Sequence, residues 1–149
     1  PLGGRMYVVR AGTGRRVEIT DEGIFVPGPP ERSGKRLCSH LKEIARDRLA
    51  GASDDYAARL GRSYARISLR DTRSRWGSCT SDGGLMYSWR LIMAPPEVLD
   101  YVAAHEVAHL AEMNHSPAFW AGVTRIYGDY GPPRRWLRAH GSTLHKYKF

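Results

Sequence analysis

Cysteine, acidic residues and long apolar runs are all scarce in this chain. The two cysteines, Cys38 and Cys79, form no Cys-x-x-Cys pair, and nothing in their spacing requires a disulfide. A reducing, cytoplasmic environment is therefore expected. No segment is apolar for long enough to cross a membrane, and no signal peptide is evident, so no membrane partner is expected. Residues 1–5 are expected to be an addition ahead of a natural start at Met6.

The shortage of acidic residues leaves the chain strongly basic. Its 15 Asp and Glu residues oppose 23 Lys and Arg residues, which gives a formal net charge of +8. Such a charge suits an anionic partner, and nucleic acid is one candidate. The basic residues are mostly arginine and are spread along the chain instead of forming one run. Nucleic-acid binding therefore stays an alternative that the charge alone does not establish.

Length and composition favour a single folded domain over residues 1–149. The hydrophobic fraction of 42% is typical of a globular protein, and a chain of this size buries a core without disulfides. Residues 1–30 are rich in short β-like runs separated by turn signals, and these predict a small meander. The three predicted strands cover residues 6–9, 16–19 and 24–26.

Helices are predicted from the spacing of apolar residues and from capping residues. Apolar residues recur at helical intervals over 31–50, and Ser53-Asp54-Asp55 is typical of the cap of a second, shorter helix that ends at Gly61. A third helix is predicted from Pro95-Pro96-Glu97 to Met113. It is apolar over most of its circumference, which indicates a helix in the middle of the domain.

A second group of strands is predicted between these helices. Residues 64–70 alternate between polar and apolar side chains at period two. Two further strands are expected over 73–79 and 85–92, around the turn Ser81-Asp82-Gly83-Gly84. Together they predict an antiparallel sheet of about three strands.

The run His105-Glu106-Val107-Ala108-His109 lies in the third predicted helix. Helical residues four apart share a face, so His105 and His109 can bind one metal ion. Glu106 is rotated by about 100° from His105 and can address a water on that metal. This is the H-E-x-x-H arrangement of zinc hydrolases, and a chance match in this composition is expected in roughly one per cent of cases. A metal also supplies partners for polar groups in an otherwise apolar helix.

His115 is the favoured third ligand. Asn114 tolerates a left-handed backbone and is expected to end the helix, while Ser116-Pro117 is typical of the start of the next helix, over 117–127. The resulting corner would let the His115 ring swing back towards His105 and His109. Glu112 is the alternative ligand, since it lies on the same helix face, although about 10 Å along the axis from His105 in a straight helix.

Several runs of this sequence together resemble one protein family. They are Arg75-Trp76-Gly77-Ser78-Cys79, the segment 89–102 that begins Trp-Arg, the H-E-x-x-H motif, Asn114-His115-Ser116, and Phe119-Trp120. In these runs the chain resembles the YgjP-like metal-dependent hydrolases, which are small zincin-like proteins related to the SprT and WLM groups. Ser88 is a departure, because family members often carry Asn before the Trp-Arg pair.

The resemblance implies a minimal zincin-like α+β domain. In it, an antiparallel sheet packs against the central H-E-x-x-H helix, which has flanking helices. It also implies one Zn²⁺ per chain, held by His105, His109 and His115, with Glu106 as the base that activates a zinc-bound water. In zincins generally, an edge strand beside the site pairs with an extended peptide, and here the strand over 85–92 is expected to do so.

The expected activity is zinc-dependent hydrolysis of peptide bonds in proteins or peptides. A group that stabilises the oxyanion is needed, and Tyr87, Arg90, Tyr130 and His140 are all candidates, with Tyr87 and Arg90 preferred as substrate-binding residues. Two alternatives stay open. One is a nucleic-acid-associated protein with a structural zinc, although a structural site usually has four protein ligands and needs no base. The other is a zinc hydrolase of a non-peptide amide or ester.

Overall fold

Two small three-stranded sheets and four helices make up the structure. The computed structural model describes all 149 residues. The helices are α1 (Ser33–Leu60), α2 (Pro96–Ala108), α3 (Pro117–Ile126) and α4 (Gly131–His140). The strands are β1 (Val9–Gly12), β2 (Glu18–Thr20), β3 (Gly23–Pro27), β4 (Arg66–Arg70), β5 (Gly77–Cys79) and β6 (Gly84–Ser88). None of the helices combines the length and the apolar character needed to span a membrane.

The N-terminal sheet has the order β1–β3–β2, so the predicted meander is wrong. β2 pairs antiparallel with β3 as a hairpin, whereas β1 pairs parallel with the other edge of β3. Burial explains why β3 takes the central position. Ile24 and Val26 of β3 are 5% and 1% exposed, while Ile19 is the only residue of β2 that is even half-buried. The most apolar strand therefore lies between the other two.

α1 is one continuous helix of 28 residues, which corrects the prediction of two helices. Its buried stripe runs on past Gly51 through Ala52 and Tyr56, so the apolar face is not interrupted. Ser53 does not cap a helix. Its hydroxyl lies in the core, 2.9 Å from the Tyr87 hydroxyl. Gly61 ends α1 with a left-handed backbone (φ 77°), a conformation that suits glycine at this position.

The second sheet has the order β4–β6–β5 and is mixed, which corrects the prediction of an antiparallel sheet. β5 pairs antiparallel with β6, but β4 pairs parallel with it. Leu85 and Tyr87 of β6 are 1% and 0% exposed, and this strand therefore occupies the buried central position. β6 is shorter than predicted because a 3₁₀ helix, Trp89–Met93, follows Ser88, whose side chain accepts a hydrogen bond from the Arg90 backbone N–H.

α2 is the central helix of the structure, as its all-round apolar character predicts. Nine of its 13 residues are buried, and it packs against α1, α3, α4 and the second sheet. Pro96 begins the helix, where the missing backbone N–H of proline costs no hydrogen bond. A mixed sheet packed against a central helix thus confirms the α+β class.

The continuity of α1 can be tested at Gly51. A Cβ added there would meet no atom within 4 Å, so Gly51→Ala is expected to stabilise the protein by about 0.5–1 kcal/mol through helix propensity. Gly61→Ala should instead destabilise it, because φ is positive there. Urea unfolding of both variants measures these changes. A destabilising Gly51→Ala would contradict a continuous helix at this position.

Candidate metal centre

The C-terminal end of α2 and the turn after it hold the three predicted histidines. α2 ends at Ala108, not at Met113, and His109 is its C-terminal cap with φ −64° and ψ −17°. No non-glycine residue has a positive φ, so Asn114 does not end the helix in a left-handed conformation as predicted. The chain instead turns gradually over 110–116 before Ser116 caps α3, its Oγ accepting from the Phe119 N–H.

This turn brings the His115 ring back to the other two imidazoles. Nε2 of His115 lies 3.2 Å from Nε2 of His105, and one ring nitrogen from each of the three histidines lies within 4.8 Å of the others. Glu112, the alternative ligand, is not part of this cluster. Its side chain is exposed, and its backbone carbonyl accepts a hydrogen bond from Nδ1 of His109 at 3.0 Å.

Hydrogen bonds fix which nitrogen of two rings faces the cluster. Because a carbonyl oxygen can only accept, Nδ1 of His109 carries the proton and Nε2 keeps its lone pair. The Tyr101 hydroxyl lies 3.2 Å from Nδ1 of His105, which leaves Nε2 of that ring free to face His115. Outer partners of this kind orient histidine ligands in metal sites. Tyr101 precedes His105 by four residues, so helical spacing alone could have identified it.

Aromatic side chains of α3 hold the imidazoles in place from the other side. The Phe119 ring is fully buried and stacks on His109, with ring centroids 4.3 Å apart. Trp120 lies against both His105 and His115. Rings packed in this way lose little further freedom on binding an ion, so the cluster is organised in advance.

Burial favours the neutral form of His105 and His109. Desolvation, with smaller contributions from His109, His115 and Arg134, lowers the pKa of His105 to about 3. Desolvation also lowers the pKa of His109. Neutral imidazoles are the form that binds metals, and three ring nitrogens with no fourth side chain would leave an open coordination position. The donor set therefore fits a metal ion, and the three histidines are the residues that could hold it.

Glu106 lies next to the histidines but does not belong to the cluster of ligand atoms. Its side chain is 6% exposed, and desolvation raises its pKa to about 8, with Arg75 acting in the opposite direction. Gly77 of β5 makes room for it. A Cβ at Gly77 would lie 2.8 Å from Cγ and 2.9 Å from Oε2 of Glu106, so any larger residue there would displace the carboxylate.

A cleft of about 430 Å³ opens onto these groups. One wall is formed by β5 with the two residues before it, and the other by α2, the turn after it and Leu137 of α4. β5 is at the edge of its sheet, whereas β6 is central. The prediction that the strand over 85–92 is the edge beside the site is therefore wrong, and β5 occupies that position.

The two preferred substrate-binding residues, Tyr87 and Arg90, do not line this cleft. Tyr87 is fully buried and its hydroxyl bonds to Ser53. Arg90 is 7% exposed, because its guanidinium pairs with Asp71 and donates to the carbonyls of Leu144 and Tyr147. The structure therefore does not bring these two side chains to the cleft, and their polar atoms are bonded inside the fold.

Two other candidates also lie outside the cleft lining, namely Tyr130 and His140. Tyr130 packs against Tyr101 and Trp120, and His140 is an exposed residue beside Trp136. The sequence alone did not predict that Gly77 makes room for Glu106. This contact joins β5 to α2, and no local sequence pattern indicates it.

An α+β domain that gathers three histidine side chains and a buried carboxyl group in an open cleft has the features of a metal-dependent hydrolase. Comparison with protein families identifies the particular family of hydrolases. The model of the YgjP-like family, described as a metallopeptidase domain, matches residues 4–140. The chain therefore belongs to the YgjP-like family, as its motifs predicted.

Among solved structures, the chain is similar to the crystal structure of the metallopeptidase zymogen abylysin of Pyrococcus abyssi. The TM-score is 0.54 at 17% sequence identity, and the alignment covers 63% of this chain and 93% of that one. At this identity the similarity shows a shared fold. No curated protein matches the sequence significantly.

The choice between His115 and Glu112 as third ligand has a direct test. His115→Ala is expected to weaken zinc binding at least about a hundredfold, because it removes one of three nitrogen donors. Glu112→Gln should leave it nearly unchanged, since the carbonyl that orients His109 is retained. Competition with a chromophoric chelator at pH 7 gives both affinities. Equal losses in the two variants would contradict the assignment.

Burial of Glu106 predicts a pH dependence of the metal-free protein. The pKa of this carboxyl is 4.5 ordinarily and about 8 in the fold, so its own contribution to stability is fully present below the lower value and is lost as pH rises towards the higher. Glu106→Gln carries no charge to bury. Its free energy of unfolding, measured with urea, should exceed that of wild type by roughly 1–4 kcal/mol between pH 5 and pH 8.5. Parallel pH profiles for the two metal-free proteins would contradict this account.

Proposed function

We propose that this protein is a zinc-dependent peptidase in which His105, His109 and His115 hold the ion and Glu106 is the general base. The observation that carries the proposal is the pairing of an open three-nitrogen site with a buried carboxyl group that forms no salt bridge in the fold. A bound zinc ion would lower the pKa of a water molecule and polarise the carbonyl under attack. A structural zinc is disfavoured, because it would have a fourth protein ligand and no need of Glu106.

Glu106 supplies proton transfer. Burial raises the pKa of this carboxyl towards neutral pH in the metal-free protein, and a general base works best when its pKa is close to the operating pH. The same carboxyl can then return the proton to the leaving amine. Its carboxylate lies against Gly77 of β5, and both residues line the same cleft as the three histidines.

The free edge of β5 provides the means to bind a peptide chain. Ser88 N–H donates to the Trp76 carbonyl, and Thr80 N–H donates to the Gly84 carbonyl, each at 2.9 Å. In an antiparallel pair the bonded positions alternate, so the backbone groups of Gly77 and Cys79 face away from β6. An extended substrate can add to this edge through main-chain hydrogen bonds and place its scissile carbonyl beside the histidines. Recognition of this kind uses groups that every peptide offers, which favours proteins or peptides as substrates.

The test compares wild type with Glu106→Gln at matched zinc occupancy on a denatured protein mixture, with cleavage sites read by mass spectrometry. The substitution keeps the ligands and removes the base, so turnover should fall about 10²–10⁴-fold. Cleavage by wild type should also stop with a chelator.

Two outcomes would contradict the proposal. Equal cleavage by both proteins would exclude Glu106 as the base. If neither zinc-loaded protein cleaved the mixture, a general peptidase would be excluded. Turnover of non-peptide amides or esters by wild type, but not by Glu106→Gln, would then identify a hydrolase of those substrates.

A further inference from the structure

The outer face of the second sheet is basic and rich in hydroxyl groups. Along β4 the side chains of Arg66, Ser68 and Arg70 are exposed, while Ile67 and Leu69 are turned towards the core. Ser68 of β4 and Ser78 of β5 both pair in register with Met86 of β6, so these three side chains form one row across the same face of the sheet. A groove of about 400 Å³ runs over this face.

No acidic side chain lines this groove. Of its three arginines, Arg66 is paired with Asp82 at 3.2 Å. Arg70 and Arg75 are exposed and have no carboxylate within 4.0 Å. Two unpaired guanidinium groups with neighbouring serine hydroxyls form a surface suited to carboxylates or phosphates.

The groove is continuous with the cleft at the metal centre. Arg75 and Ser78 line both of them, and the free edge of β5 lies between the two. In paired strands, side chains that stand opposite each other share a face. A substrate residue placed opposite Ser78 would therefore project its side chain onto the basic face, as would the residues two positions before and after it.

We propose that this face is a subsite that selects substrates with acidic side chains at alternating positions beside the scissile bond. The inference rests on the proposed function and adds the substrate class. Arg70 and Arg75 would pair with substrate carboxylates, and the hydroxyls of the groove serines would donate to them. An acidic peptide fits better than nucleic acid, because the groove lining has no aromatic side chain on which bases could stack.

Arg70 is the residue to vary, because it lines the groove but not the catalytic cleft. Arg70→Glu reverses its charge, and Arg70→Gln removes the charge with less risk to folding. Arg62→Glu is the matched control, since Arg62 is also exposed and unpaired but lines neither the groove nor the cleft. All three are compared with wild type at one ionic strength.

Binding is measured first, by fluorescence anisotropy with a labelled peptide of alternating Ser and Glu. The zinc-loaded Glu106→Gln protein is used so that the peptide stays intact. Arg70→Glu should weaken binding about tenfold, Arg70→Gln by less, and Arg62→Glu by less than about twofold. Equal effects of Arg70→Glu and Arg62→Glu would overturn the proposal, because binding would then follow net charge. Tighter, Arg70-dependent binding of a single-stranded oligonucleotide would overturn it in favour of nucleic acid.

Cleavage is measured second, with the denatured protein mixture and active protein. Wild type and Arg62→Glu should show Asp and Glu enriched at alternating positions near the cut, and Arg70→Glu should lose this enrichment. Cleavage with no acidic enrichment, unchanged in Arg70→Glu, would overturn the subsite while leaving the peptidase intact. Arg70-dependent peptide binding without any cleavage would support the acidic docking face and contradict the proposed function.

Discussion

The structure depends on keeping several polar groups neutral and oriented inside an apolar helix. α2 is buried on nearly all sides, and its C-terminal end carries His105, Glu106 and His109. Burial disfavours a charged imidazolium and a charged carboxylate alike, which is why the pKa of His105 falls and that of Glu106 rises. A divalent cation would reverse this cost, since the neutral rings bind it and the carboxylate gains an opposite charge nearby.

The neighbouring elements position these groups. The turn after α2 returns His115 to the cluster, while α3 supplies the Phe119 ring beneath it. β5 approaches Glu106 so closely at Gly77 that only glycine fits. One short strand therefore holds the proposed base, offers its backbone to a substrate and separates the metal centre from the basic face. This combination explains why three residues of strand carry so much of the proposed function.

The sequence predicted the parts of the site that depend on local geometry. The spacing of His105 and His109 follows from the helical repeat, and the buried character of α2 follows from its composition. The pairing of the strands could not be read in the same way, because it depends on which strand is most buried once the domain is assembled. Tyr87 shows the same limit. A tyrosine hydroxyl is equally compatible with a catalytic cleft and with a buried bond to Ser53, and only tertiary contacts decide.

Three imidazoles are the only side chains expected to hold the metal. X-ray absorption at the zinc edge of the loaded protein tests this expectation most directly. Three imidazole nitrogens at about 2.0–2.1 Å, with no sulfur and no fourth protein ligand, are the predicted result. A sulfur scatterer at about 2.3 Å would place Cys79 on the metal. Four protein ligands would describe a closed structural site, and either finding would contradict the account.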